Sequence, residues 1–292
     1  MAAVGREATK KALDSSDPLP SLAARNAINQ KIATEIDSRL GRLNYFVPEA
    51  RGYVSAEDLL NLVNSDHRVD PFLREFVSIY GPLPGRAEGI LSFYARNTRI
   101  ADVLQGEIES RSSEMFVKAI DGRRVPVDCA SSGQRAALPL MLTLLEHSQG
   151  SHFDEVGSLF IEEPEAHLYP TGQREITRII ADLGGLDRDA RPQYIITTHS
   201  PYLLTAFNNL IYAGKIVRAK PERKSAVDSV LGDVPVIDPS NVRAYAFESG
   251  RVRSIVDPET ELILAAELDN VSDDLGGEFD KLMDVDYAEY AA

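Results

Sequence analysis

Apolar positions along the chain change their spacing several times, and each change predicts an element. In "SLAARNAINQKIATEIDSRL" (21–40), Ile28, Ile32, Ile36 and Leu40 recur every four residues, one stripe of a helix capped by Ser21 and stopped at Gly41. "LNYFVP" (43–48) reads as a short strand ended by Pro48, and Ser55 can cap a helix in "ARGYVSAEDLLNLV". "DPFLREFVSIYG" has Asp70 as N-cap, Pro71 in the first helical position and Gly81 as stop. Prolines and glycines make 82–90 a loop, and "MFVKAI" and "RRVPVDCA" read as strands about an Asp121–Gly122 turn. Residues 133–147 form a long apolar helix with Pro139 in or near its first turns.

From there strand and helix alternate. "SLFI" (158–161) is a strand, and "GQREITRIIADL" (172–183) is an amphipathic helix with Ile176, Ile179, Ile180 and Leu183 on one side. "QYIITT" (193–198) is a strand, and "SPYLLTAF" (200–207) opens a helix with Ser200 as cap and Pro201 first. "LIYAG" and "KIVRA" then read as further strands. Alternation of this kind predicts an α/β fold, a mostly parallel sheet flanked by helices. Its divisions are an N-terminal helical segment (1–44), a core (45–256) with a helical insert at about 55–115, and a C-terminal tail (257–292). In the tail, Leu275, Phe279, Leu282 and Met283 recur at helical spacing, which predicts a helix docked through an apolar minority and weakened at its start by Gly276 and Gly277. The alternative for that tail is an acidic, disordered segment.

Composition narrows the class. With 43% hydrophobic and 26% charged residues among 292, the chain is an ordinary globular one. No apolar run reaches a membrane span and the start has no apolar leader, so a cytoplasmic location without membrane contact is expected. A lone cysteine, Cys129, fits a reducing compartment. Of the net charge of −14, residues 257–292 carry −11, from twelve carboxylates and Lys281. The body is therefore nearly balanced, which weakens the case for a nucleic-acid surface. Lys215, Arg218, Lys220, Arg223 and Lys224 form one basic cluster, read as a solvated loop.

The chemistry lies where strands end. "SLFIEEPEAHLYP" (158–170) runs a strand into Glu162 and Glu163, and "YIITTHSP" (194–201) delivers His199. Buried-looking carboxylates need a partner or a metal, and ligands of open parallel sheets sit outside the carboxyl ends of the strands. A carboxylate there can hold Mg²⁺ beside a phosphate. A second can orient an attacking water, and a neighbouring histidine can contact the phosphate. "ASSGQRA" (130–136) offers the backbone N–H groups and hydroxyls of Ser131, Ser132, Gly133 and Gln134 at a helix N-terminus, an anion site. Each piece alone has a plainer reading, as a cap, a turn or an acidic helix start. A zinc site from Glu163, Glu165 and His167 is conceivable, without an HExxH or cysteine pair behind it.

In this order, "SSGQR", "SLFIEEPEAHLYP" and "YIITTHSP" resemble the ABC-type ATPase core, a P-loop NTPase fold. They look most like bacterial AAA ATPases related to the RecF, SMC and overcoming-lysogenization-defect (OLD) proteins. "YFVPEARGY" and "ELDNVSDDLGGEFDKLMD" are also similar to this group, so the likeness covers roughly 40–285. It implies that Ser131 matches the signature serine, with Ser132, Gly133 and Gln134 beside it as nucleotide-binding residues that act across a dimer. It further implies Glu162 as the Mg²⁺-associated Walker B carboxylate, Glu163 as the catalytic glutamate, "EAHL" as the D-loop and His199 as the switch histidine. The implied cofactors are ATP and Mg²⁺, and the implied activity is ATP hydrolysis driving a DNA-directed or phage-defence system. The family's phosphate cradle, GxxxxGK[ST], is not among the 292 residues, and "GPLPGRAEG" lacks its Lys-Ser/Thr and loses N–H groups to proline. The expectation is therefore the C-terminal portion of such an ATPase, its N-terminal lobe missing. It would act as a homodimer or as a heterodimer with a Walker A-containing subunit, a separate nuclease or effector and nucleic acid being further partners. The alternative is a catalytically incomplete interaction module that dimerises with a complete ATPase subunit.

Overall fold

The longest apolar run becomes the centre of the fold. In the computed structural model, residues 43–52, 69–87, 89–90, 98–111, 114–149, 156–184, 193–232, 234–264 and 270–288 are described. Contacts divide the chain into two units, Met1–Leu43 and Asn44–Ala292, and every described residue but Leu43 belongs to the second. The helices expected at 21–40 and after Ser55 lie outside the described residues.

Helix α3 (Ser132–Gln149) is apolar nearly all round, the mark of a helix covered on every side. Leu138, Leu140, Met141, Leu142, Leu144 and Leu145 are buried in one cluster with Phe76 and Tyr80 of α1 (Pro71–Tyr80) and Leu104 of α2 (Thr98–Leu104). The same cluster takes in Ile176, Ile179, Ile180 and Leu183 of α4 (Pro170–Gly184), and Val47 of β1 (Leu43–Val47). Pro139 lies well inside α3 rather than at its start. A proline there forgoes one helical hydrogen bond, and the all-round burial keeps the helix intact.

β1, β5 (Val156–Glu162) and β6 (Gln193–Thr197) form one sheet in the order β1-β5-β6. β5 and β6 pair in parallel, from Ser158 opposite Gln193 to Glu162 opposite Thr197. Leu159 and Ile161 of β5 enter the core cluster, so the sheet is flanked by helices as expected for an α/β fold. A second sheet is antiparallel: β2 (Gly106–Arg111), β3 (Glu114–Ala119) and β4 (Arg124–Pro126), with Gly122 at positive φ in the β3–β4 turn. β2 departs from the sequence expectation because "GEIESR" carries little apolar signal. The 82–90 loop contains a short 3₁₀ turn at Pro84–Arg86.

Asp70 caps α1 through hydrogen bonds from the Phe72 and Leu73 amides, and Ser200 caps α5 (Pro201–Ala219) through the Leu203 amide, both as expected. The stretches "LIYAG" and "KIVRA" are not strands, because α5 runs on through both of them. Leu203, Leu204, Ala206, Leu210, Ile211 and Ala213 are buried at three- and four-residue intervals, which is the helical period extended across both runs. Gly214 suits this role: a Cβ there would stand 2.0 Å from Ile237 O, and the Ile237 amide donates to Leu210 O at 3.1 Å. The helix is thereby pressed directly against an extended backbone. α6 (Lys224–Leu231), a hairpin of β7 (Tyr245–Glu248) and β8 (Arg251–Ser254), and α7 (Asn270–Ala288) complete the described elements. The tail is helical, with Gly276 and Gly277 inside α7, but it is not docked: Leu275, Phe279 and Leu282 are exposed. Among the described residues no helix is long and apolar enough to cross a membrane.

The Gly214 contact leaves no room for a side chain. Gly214→Ala is expected to destabilise the protein by about 1–3 kcal/mol with a lower Tm by calorimetry; an unchanged Tm would contradict this packing.

Candidate functional site

Pairing β5 with β6 brings the two reactive strand ends together. Glu162 closes β5 beside Thr197, and the Glu163 amide donates to Thr197 O at 3.0 Å. Two residues on, His199 Nε2 stands 3.6 Å from Glu163 Oε1. His199 is 85% exposed and Glu163 36%, so both are open to a ligand. Glu162, Glu163 and His199 thus share the carboxyl edge of one sheet.

Glu163 has φ 40°, left-handed backbone that disfavours a side chain and costs about 1–2 kcal/mol. Three hydrogen bonds hold it there. Its amide serves Thr197 O, and its carbonyl accepts from the Ala166 amide at 3.0 Å and from Arg51 Nη2 at 2.8 Å. Strain kept by surrounding bonds is a feature of functional sites.

Arg51 has no assigned role in the sequence reading, yet it organises the site. It lies in a 3₁₀ turn after β1 (Glu49–Gly52) and is 1% exposed. Its guanidinium donates to Ala136 O (3.0 Å), Pro48 O (2.9 Å), Glu162 O (2.7 Å) and Glu163 O (2.8 Å). One side chain therefore ties the post-β1 turn, helix α3 and the end of β5 together. Burial pulls its pKa down to about 10, against the opposing field of Glu49, Glu165, Glu163 and Glu162. It remains a cation at neutral pH. The signal in the sequence was an arginine in "VPEARG", directly after a strand and a proline.

Glu165, named above in a conceivable zinc set and within "EAHL", takes a positioning role. It is buried, and Oε1 accepts from Thr198 Oγ1 (2.5 Å) and the His199 amide (3.0 Å). It thereby positions the histidine-bearing loop rather than standing ready for zinc. Among the described residues no cluster of His, Cys, Asp or Glu could hold a metal by itself. Mg²⁺ makes a different demand: one or two carboxylates, with substrate phosphates and water completing its shell. Glu162 fits that demand. It is half-buried, its Oε2 is oriented by the Glu49 amide at 3.2 Å, and it borders a recess of about 210 Å³ shared with Glu49, Asp70, Phe46 and Phe72. A recess with three carboxylates repels a bare phosphate and favours one carried with a cation.

Ser131 and Gln134 form a reciprocal cap on α3. Ser131 Oγ accepts from the Gln134 amide at 3.3 Å, and Gln134 Oε1 accepts from the Ser131 amide at 3.0 Å. Ser131 and Ser132 are exposed. Gly133 is buried, and a Cβ there would stand 2.6 Å from His167 O, in the turn that follows Glu163. Gly133 and Arg51 are the two joints between the α3 N-terminus and the carboxylates. In the basic cluster, Lys215 and Arg218 pair with Glu261, Arg218 also with Asp238, and Lys224 with Asp228. The solvated reading of that cluster suits these pairs, although it lies on helices rather than a loop.

A family model described as AAA ATPase domain matches residues 56–204, just over half of the chain, including Ser131–Gln134, Glu162, Glu163 and His199. The chain belongs to the AAA ATPase domain family. Nucleotide binding with a divalent metal and ATP hydrolysis are the chemistry of that family. No curated protein matches the chain.

Because Arg51 is buried and serves four carbonyls, Arg51→Met should cost on the order of 3 kcal/mol in denaturant melts, with Arg51→Lys intermediate. A methionine variant as stable as the parent would show that the clamp does not hold these segments.

Proposed function

We propose that this AAA ATPase domain is the signature, Walker B and switch-histidine portion of an ATPase of the RecF, SMC and OLD-like group. Its phosphate cradle would come from a GxxxxGK[ST] segment outside these 292 residues. The observation that carries the reading is the meeting of Glu162, Glu163 and His199 at one sheet edge, with His199 Nε2 3.6 Å from Glu163 Oε1. In this reading Glu162 would hold Mg²⁺, which would offset phosphate charge when bound. Glu163, fixed by Arg51 and Thr197 O, orients the attacking water and takes its proton. His199 contacts the γ-phosphate from the next strand. Ser131, Ser132, Gly133 and Gln134 face the nucleotide of a second subunit, so the working unit is a homodimer or a heterodimer with a Walker A-containing subunit. The likeness of "SLFIEEPEAHLYP" and "YIITTHSP" to that group assigns the hydrolysis to a DNA-directed or phage-defence system, with a separate effector or nucleic acid as its target, in the cytoplasm.

The alternative reading is an interaction module that dimerises with a complete ATPase subunit.

The complex with a Walker A-bearing subunit separates the two. Glu163→Gln keeps the shape of the side chain but cannot take a proton, so turnover should fall about 10²–10⁴-fold while ATP binding persists. Glu162→Gln should instead weaken Mg²⁺-dependent nucleotide binding. Equal hydrolysis with Glu163→Gln would pass the chemistry to the partner and favour the interaction module.

A further inference from the structure

Two apolar surfaces among the described residues are more than half exposed. The first is one face of the β7–β8 hairpin. Tyr245 and Phe247 stand opposite Ser254 and Val252 in the register, so these four share a face. Phe247 is 83% exposed, and Tyr245 and Val252 are each more than half exposed. The other face differs: Ala246 packs there against the cluster of Leu204, Ile211, Ile255 and Ile263, while Arg251 and Arg253 extend from it. The second surface is on α7, where Leu275, Phe279 and Leu282 make a single stripe by their spacing. Phe279 is 61% exposed and its two neighbours are comparable.

We infer that α7 of one copy seats this stripe on the Tyr245–Phe247–Val252 face of a second copy, and receives the same contact in return. Charge argues for this occupant. Among its described side chains, helix α7 carries four carboxylates, Asp274, Glu278, Asp280 and Asp284, against Lys281 alone. The hairpin carries Arg251 and Arg253 against Glu248, with Arg243 just before it. A two-stranded ribbon is thinner than the Debye length of about 8–10 Å. Arginines behind it therefore still attract carboxylates seated in front. Each copy owns both halves, so a two-fold axis closes the assembly at two seats. Aromatic side chains bury about 150–250 Å² each. Three rings per seat, flanked by Val252, Leu275 and Leu282, bring two seats to roughly 1,000 Å², the lower bound for a specific interface. This dimer does not depend on the ATPase reading.

Sedimentation velocity of the purified full chain over a concentration series tests it. The expected result is a monomer–dimer equilibrium whose dissociation constant rises several-fold with added salt. The pair Phe247→Ser/Val252→Ser and the pair Phe279→Ser/Leu282→Ser should each run as folded monomers, since all four positions are on the surface. A wild-type chain that stays monomeric throughout would overturn the inference. So would a dimer that both double variants leave intact.

Discussion

A single buried cation governs the geometry on which the site rests. Burying a guanidinium is costly unless its donors are used, and Arg51 uses them on four backbone carbonyls from three segments. Burial lowers its pKa, yet the carboxylates around it keep it charged. The result is a fixed relation between the turn after β1, the end of β5 and the N-terminal part of α3. The left-handed backbone at Glu163 persists because Arg51 and the β6 backbone hold its carbonyl and its amide from opposite sides.

The same arrangement couples the two halves of the candidate site. Gly133 touches the carbonyl of His167, itself at φ 61°, so any movement of the "SSGQR" helix start presses on the turn after Glu163. Glu165 does the matching work on the other side, holding Thr198 and the His199 amide. Direct contacts therefore tie three strand or helix ends into one block. In the proposed function, that block is what a nucleotide held by a second subunit would act on.

Much of this was legible from residue spacing. The alternation of strands and helices gave the α/β class, and strands ending in Glu162–Glu163 and just before His199 gave the convergence of those side chains. Caps at Asp70 and Ser200 were readable because proline follows a side chain that can accept amide hydrogen bonds. The partners of Arg51 and Glu165 were not readable, since they are carbonyls and hydroxyls mostly distant in sequence. "LIYAG" and "KIVRA" misled because short apolar runs fit either period, and the decision lay in the contact of Gly214 with Ile237 O. The tail's apolar spacing gave a helix, but spacing cannot say what the stripe meets, and here it meets solvent.

In the proposed function, a metal-bound nucleotide lies at the β5–β6 carboxyl edge. Paramagnetic relaxation with Mn²⁺·ATP, in the complex with a GxxxxGK[ST]-bearing subunit, tests that position directly. The account predicts that the His199 ring and the Glu163 and Thr198 amides of this chain broaden first as Mn²⁺ is added. Sharp signals at those three residues, with broadening centred on other parts of the chain or on the partner alone, would contradict it.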